Sequence, residues 1–150
     1  MKPTIKVLAL AFVLLAARSA AAQAKPDFSG RWVQVTPSAV AEGGGQEQVV
    51  RQDDASVTTS HASEGGGHGQ VYKFGSDSSG MLGHDVAVTS RAAWDGPKLV
   101  LTSTATYPDK SQRQSKQVWT LGSDGLLTIE STMTHPDHTI TQRKSVHRKK

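Results

Sequence analysis

The sequence predicts an all-β domain with antiparallel strands, arranged as a sandwich or a barrel. Three observations carry that expectation. Short runs rich in β-branched and alternating residues recur at intervals of roughly 8 to 15 residues. Helical periodicity is nearly absent from the mature part of the chain. Glycine, aspartate and proline punctuate the runs, because the chain contains no asparagine for the common Asn-Gly turn.

Taken in order, residues 31–36 form the first strand, opened by Ser29-Gly30. Residues 37–46, with Gly43-Gly44-Gly45, read as a loop. Residues 48–52 and 56–61 flank Asp53-Asp54 as a hairpin, 64–69 is a second glycine-rich loop, and 70–74 is a strand. Residues 75–83 read as turn-rich. Residues 85–94 and 98–106 then face each other across Asp95-Gly96-Pro97, the clearest hairpin in the chain. Residues 114–121 and 126–133 flank Ser123-Asp124-Gly125, and His135-Pro136-Asp137-His138 turns the chain into a last strand, 139–147. About nine strands result. Alternation puts Leu127, Ile129, Ser131 and Met133 on one face, Leu99, Leu101, Ser103 and Ala105 on another, and Val86, Val88, Ser90, Ala92 and Trp94 on a third. The inner faces therefore mix apolar with small polar residues.

The N-terminus reads as an export signal over residues 1–24. Lys2 and Lys6 precede an apolar run over 7–17, and Ala22-Gln23-Ala24 is a small-residue cleavage site. Removing Lys2, Lys6 and Arg18 from the 17 basic residues leaves 14 against 13 acids, so the net charge falls from +4 to +1. That balance argues against a nucleic-acid partner. The expected protein is residues 25–150, one domain, exported to the periplasm or secreted, monomeric, with no membrane span once the signal is gone. It has no cysteine, which excludes disulfides, thiolate zinc sites and a cysteine nucleophile.

Three blocks carry a resemblance. Asp27-Phe28-Ser29-Gly30-Arg31-Trp32 opens the first strand with a Gly-x-Trp motif. Ala93-Trp94-Asp95-Gly96, leading to Leu99-Val100, and Val118-Trp119-Thr120-Leu121, leading to Asp124-Gly125 and Leu127-Thr128, follow in order. The set resembles the exported bacterial lipocalin-like proteins of the calycin type, a group without an established reaction. The resemblance implies an antiparallel meander closed into a β-barrel of about 8–10 strands. It also implies that Trp32 plugs the closed end against a basic residue late in the last strand, with Arg143, Lys144 and Arg148 as candidates and Arg143 first. The triple-glycine loops depart from the pattern and leave strand pairing over residues 37–83 open. A barrel lined by such mixed faces leaves room for a small ligand. Trp94, Leu101, Trp119 and Ile129 are the expected lining.

Reactive side chains form no recognisable catalytic frame, and no cofactor is implied. His61, His68, His84, His135, His138 and His147 are many for this length. Only His135 and His138, around Asp137, share a turn that offers metal ligands, and it supplies too few by itself. Gly75-Ser76-Asp77-Ser78-Ser79-Gly80 lacks the spacing of a nucleophile elbow. The glycine loop ending at Gly69 precedes no helix that could hold a phosphate. Asp53-Asp54 at a turn tip is expected to be solvated and unshifted. The leading expectation is non-catalytic binding of a small, partly apolar ligand inside the barrel. A filled barrel acting as an envelope or surface interaction protein, through its loops or its basic C-terminus, is the alternative. An enzyme would require His61, His84 or His135 to converge with a carboxylate in one pocket.

Overall fold

In the computed structural model, which describes residues 24–36, 47–61 and 69–150, every regular element is a strand and all ten belong to one sheet. Residues 1–23, where all but the last residue of the expected export signal falls, and the glycine-rich stretches 37–46 and 62–68, His68 included, lie outside the described residues. The strands are β1 Gly30–Thr36, β2 Glu47–Gln52, β3 Ser56–His61, β4 Gln70–Phe74, β5 Ser78–Leu82, β6 Val86–Asp95, β7 Lys98–Thr106, β8 Gln112–Leu121, β9 Leu127–Thr134 and β10 Ile140–Lys149.

Apart from β4 and β5, strands adjacent in sequence pair antiparallel, and β10 returns to pair with β1. The ring closes where β4 meets β6 in parallel over two residue pairs, Lys73 with Arg91 and Phe74 with Ala92. Nine strands thus make a closed, mostly antiparallel barrel, the architecture the resemblance implied. β5 occupies the same side of β6 beyond that junction, from Ser78 opposite Ser90 to Leu82 opposite Val86. The passage 75–83, expected to be turns, is corrected here. Ser78-Ser79-Gly80 carries little strand propensity, and β6 supplies the partner that makes it a strand. The pairing left open over residues 37–83 is resolved in its described part as β2 with β3 and β3 with β4.

The core fills one end of the barrel. Phe28, Trp32, Val50, Val57, Tyr72, Ala92, Leu99, Leu101, Trp119, Leu127 and Ile129 form one buried cluster, with Phe74, Trp94 and Leu121 packed against it. The segment before β1 closes this end. Gln52 Nε2 donates to Pro26 C=O at 3.1 Å, and Gln52 Oε1 accepts from Phe28 N–H at 3.0 Å, so one amide pins the segment to β2. The Phe28 ring then stacks on Trp94 at 6.2 Å and meets Trp119 edge-on at 5.9 Å. Buried Trp32 donates its indole N–H to Phe28 C=O at 2.8 Å, which satisfies its one polar atom.

The cation over Trp32 is Lys149, whose Nζ lies 5.7 Å from the ring centroid. This corrects the expected pairing with Arg143. Lys149 is the direct register partner of Trp32, whereas Arg143 sits six residues earlier on β10, roughly 20 Å away along an extended strand. Gly30, at φ 136°, leaves room for the Lys149 side chain in this position, since a Cβ there would come within 2.5 Å of Lys149 Cε.

Candidate functional site

Register places the inward side chains of β8, β9 and β10 in rows across the sheet. Leu121, Leu127 and His147 make the first row, and Trp119, Ile129 and Ser145 the second. Gln117, Ser131 and Arg143 make the third, with Leu101 of β7 opposite Gln117. Ser115, Met133 and Thr141 make the fourth, with Ser103 opposite Ser115. The lining changes from apolar to polar between the second and third rows.

A cavity of about 290 Å³ opens at that change, lined by Ser115, Gln117, Ser131, Met133, His135, Thr141 and Arg143. It lies toward the end of the barrel opposite Phe28, where β9 turns into β10. Gln117 joins the two regions, because its Oε1 accepts the Trp119 indole N–H at 2.8 Å and its Nε2 donors are left for the cavity. His135 Nε2 and Thr141 Oγ1 share a hydrogen bond of 2.9 Å across the rim. No carboxylate belongs to the lining. The ion pairs among the described residues are Arg31 and Lys150 with Glu47, Arg91 with Asp77, and Lys144 with Glu130, so none engages Arg143. A larger hollow of about 450 Å³ on the same strands is lined by Lys116, Glu130 and Lys144 and shares Ser131 and the exposed Arg143 with the cavity.

The expected lining residues sit elsewhere. Leu101, Trp119 and Ile129 belong to the packed cluster and Trp94 lies against it. They do face inward, but at the filled end. The residues that line the cavity were visible in the alternation, since Ser131 and Met133 continue the face of Leu127 and Ile129. What the alternation lacks is the cross-strand register that brings Ser115, Gln117, Thr141 and Arg143 beside them.

Among the described residues the histidines do not converge with a carboxylate in one pocket. His61 ends β3 exposed, and His84 is exposed in the turn before β6. His138 is exposed and held at φ 66° by its turn, while Asp137 spends Oδ1 on the Thr139 N–H and hydroxyl at 3.0 and 2.6 Å. Those bonds, the hydroxyl's first, hold the Asp137 carboxyl below its usual range. Among the described residues no three His, Asp or Glu side chains are grouped to hold a metal ion. His147 is 6% exposed in the first row, shares a 2.9 Å hydrogen bond through Nε2 with Ser145 Oγ, and leaves Nδ1 without a partner. Burial pushes its pKa down. Asp53, expected to be unshifted, is instead held below its usual range by the Ala55 and Ser56 N–H groups at 2.8 and 2.7 Å.

No protein-family model matches the chain, and no curated protein matches it. Among solved structures, secretory abundant heat soluble protein 4 from Ramazzottius varieornatus is similar at 18% identity, with a TM-score of 0.49 over 81% of this chain and 94% of that one.

Proposed function

We propose that this is an exported, non-catalytic binding protein that holds a small molecule in the open half of its barrel. The observation that supports the reading is the division of the interior. One end is filled by a cluster of aromatic and aliphatic side chains, and the other retains a cavity of about 290 Å³ with hydrogen-bonding groups directed from three adjacent strands. A packed end fixes the strands, and fixed strands hold the cavity's side chains in place before a ligand arrives.

Native mass spectrometry of the protein recovered from an exporting host, compared with its denatured mass, tests this reading. The expected result is a reproducible extra mass lost on denaturation, together with an N-terminus at Lys25. A native mass equal to the bare chain under every gentle condition favours the filled-barrel alternative, in which the loops and basic C-terminus contact a partner.

A further inference from the structure

We infer that the molecule held in the barrel mouth is a small, hydroxyl-rich organic anion of the sugar-acid type, with its acid group on Arg143. The inference rests on the binding reading above and adds the chemistry of the ligand.

Six of the seven lining residues carry polar groups, while carbon atoms make up the larger share of the exposed lining. An alkyl chain laid against Ser115, Ser131 and Thr141 would take water from their hydroxyls and return no hydrogen bond. The ligand expected to be partly apolar still suits the carbon surface of this lining, although the residues that form it are not Trp94, Leu101, Trp119 and Ile129. The charge balance is equally one-sided. Arg143 brings a guanidinium to the third row, the lining holds no acid, and no ion pair among the described residues neutralises it. Gln117 adds to the bias, because Trp119 occupies its acceptor and its donors remain. A planar guanidinium pairs with a carboxylate through two parallel hydrogen bonds, a geometry that a neutral polyol does not match. The three hydroxyls both donate and accept, which suits the alcohol groups of the same ligand. A volume of about 290 Å³ equals that of roughly ten waters, the scale of a six-carbon acid.

Amide NMR spectra of the protein recovered after expression of the full chain, titrated at constant ionic strength with gluconate, sorbitol and octanoate, test the assignment. Sorbitol keeps the hydroxylated chain without the charge, and octanoate keeps the charge without the hydroxyls. Gluconate is expected to shift the amides of Ser131, Thr141 and Arg143 and to bind about tenfold or more tightly than either of the others. Arg143→Gln is expected to bring gluconate to the level of sorbitol, and Lys149→Gln to leave it unchanged. Near-ultraviolet circular dichroism of the tryptophans checks that both variants fold. Equal binding of gluconate and sorbitol, tighter binding of octanoate, no response to gluconate, or an unaltered affinity in Arg143→Gln each overturns the assignment. Sorbitol or octanoate shifting the same amides would leave the binding reading standing without the anion. Silence from all three, with no co-purified mass, removes both.

Discussion

At the scale of single residues, chemistry and burial oppose each other most at His147. Its ring lies in the first interior row, Ser145 satisfies one nitrogen, and Nδ1 has no partner. Protonating such a ring puts a charge where little solvates it, so the folded pKa falls below the ordinary 6.5. The unfolded chain then binds protons more readily than the folded one. Stability is full above about pH 6.5 and is lost as the pH falls from there through the folded value. The carboxylates act in a lower window. Glu47, held down by the Lys150 ammonium at 2.9 Å, and Asp27, Asp53, Asp109 and Asp137, held by hydrogen bonds, begin to cost stability only below their ordinary 4.5 and 3.8. Urea unfolding across pH 8 to 2.5 is expected to show stability falling below about 6.5 in the natural protein and falling again below about 4.5. In His147→Gln that upper fall is expected to vanish while the lower one remains. An identical profile in the variant would remove His147 as the cause. The sequence shows a histidine near the end of the last strand, but its burial depends on Gln34 and Leu127 being its register partners, which no local pattern reveals.

Among the elements, three hairpin turns are built on one plan, and their residues explain why much of the sheet was legible. In 107–111, 122–126 and 135–139 the first N–H donates to the fifth C=O, and the fourth N–H donates back to the first C=O. In each, the third residue is an aspartate whose Oδ1 accepts the fifth N–H, as Asp109 does from Ser111 at 2.9 Å, Asp124 from Leu126 at 3.0 Å and Asp137 from Thr139 at 3.0 Å. The fourth residue is left-handed in all three, at φ 66° for Lys110, 78° for Gly125 and 66° for His138. Aspartate before such a residue is a strong local signal, so the hairpins around Gly96 and Gly125 and the turn at Pro136 could be read directly. β5 could not, because its strand character comes from β6. Only glycine takes a left-handed conformation without steric cost, so the three turns respond oppositely to substitution. His138→Gly is expected to raise stability by about 1 kcal/mol, and Gly125→Ala to lower it by about the same amount. Urea midpoints at fixed slope measure both. A loss on His138→Gly would mean that its ring contributes something besides the turn.

Across the whole molecule, the barrel is strong on one side and thinly joined on the other. β7, β8 and β9 pair along almost their full lengths and carry Leu99, Leu101, Trp119, Leu127 and Ile129 into the core. Closure between β4 and β6 rests on two residue pairs, with the Phe74 ring stacked on Trp94 at 5.6 Å and Gln70 Nε2 donating to Ser90 Oγ at 2.8 Å beside them. β5 adds little apolar burial, since Met81 is 57% exposed and Leu82 42%. The sequence foretells the β8–β9 hairpin on the strong side, because its turn is local, and says nothing of this junction, which joins strands in parallel without a turn between them. Local opening follows the distribution of buried apolar contacts, so the junction should open without the rest. Native-state hydrogen exchange is expected to show the amides of Ser79–Leu82 and of Lys73 exchanging roughly a hundredfold or more faster than those of Leu101, Trp119 and Ile129. Added denaturant should accelerate the second group strongly, because those amides are released only when the core is exposed, and the first group hardly at all. Equal protection and equal denaturant dependence in the two groups would mean that the barrel opens as a single unit, with β4 and β6 joined as firmly as the hairpins.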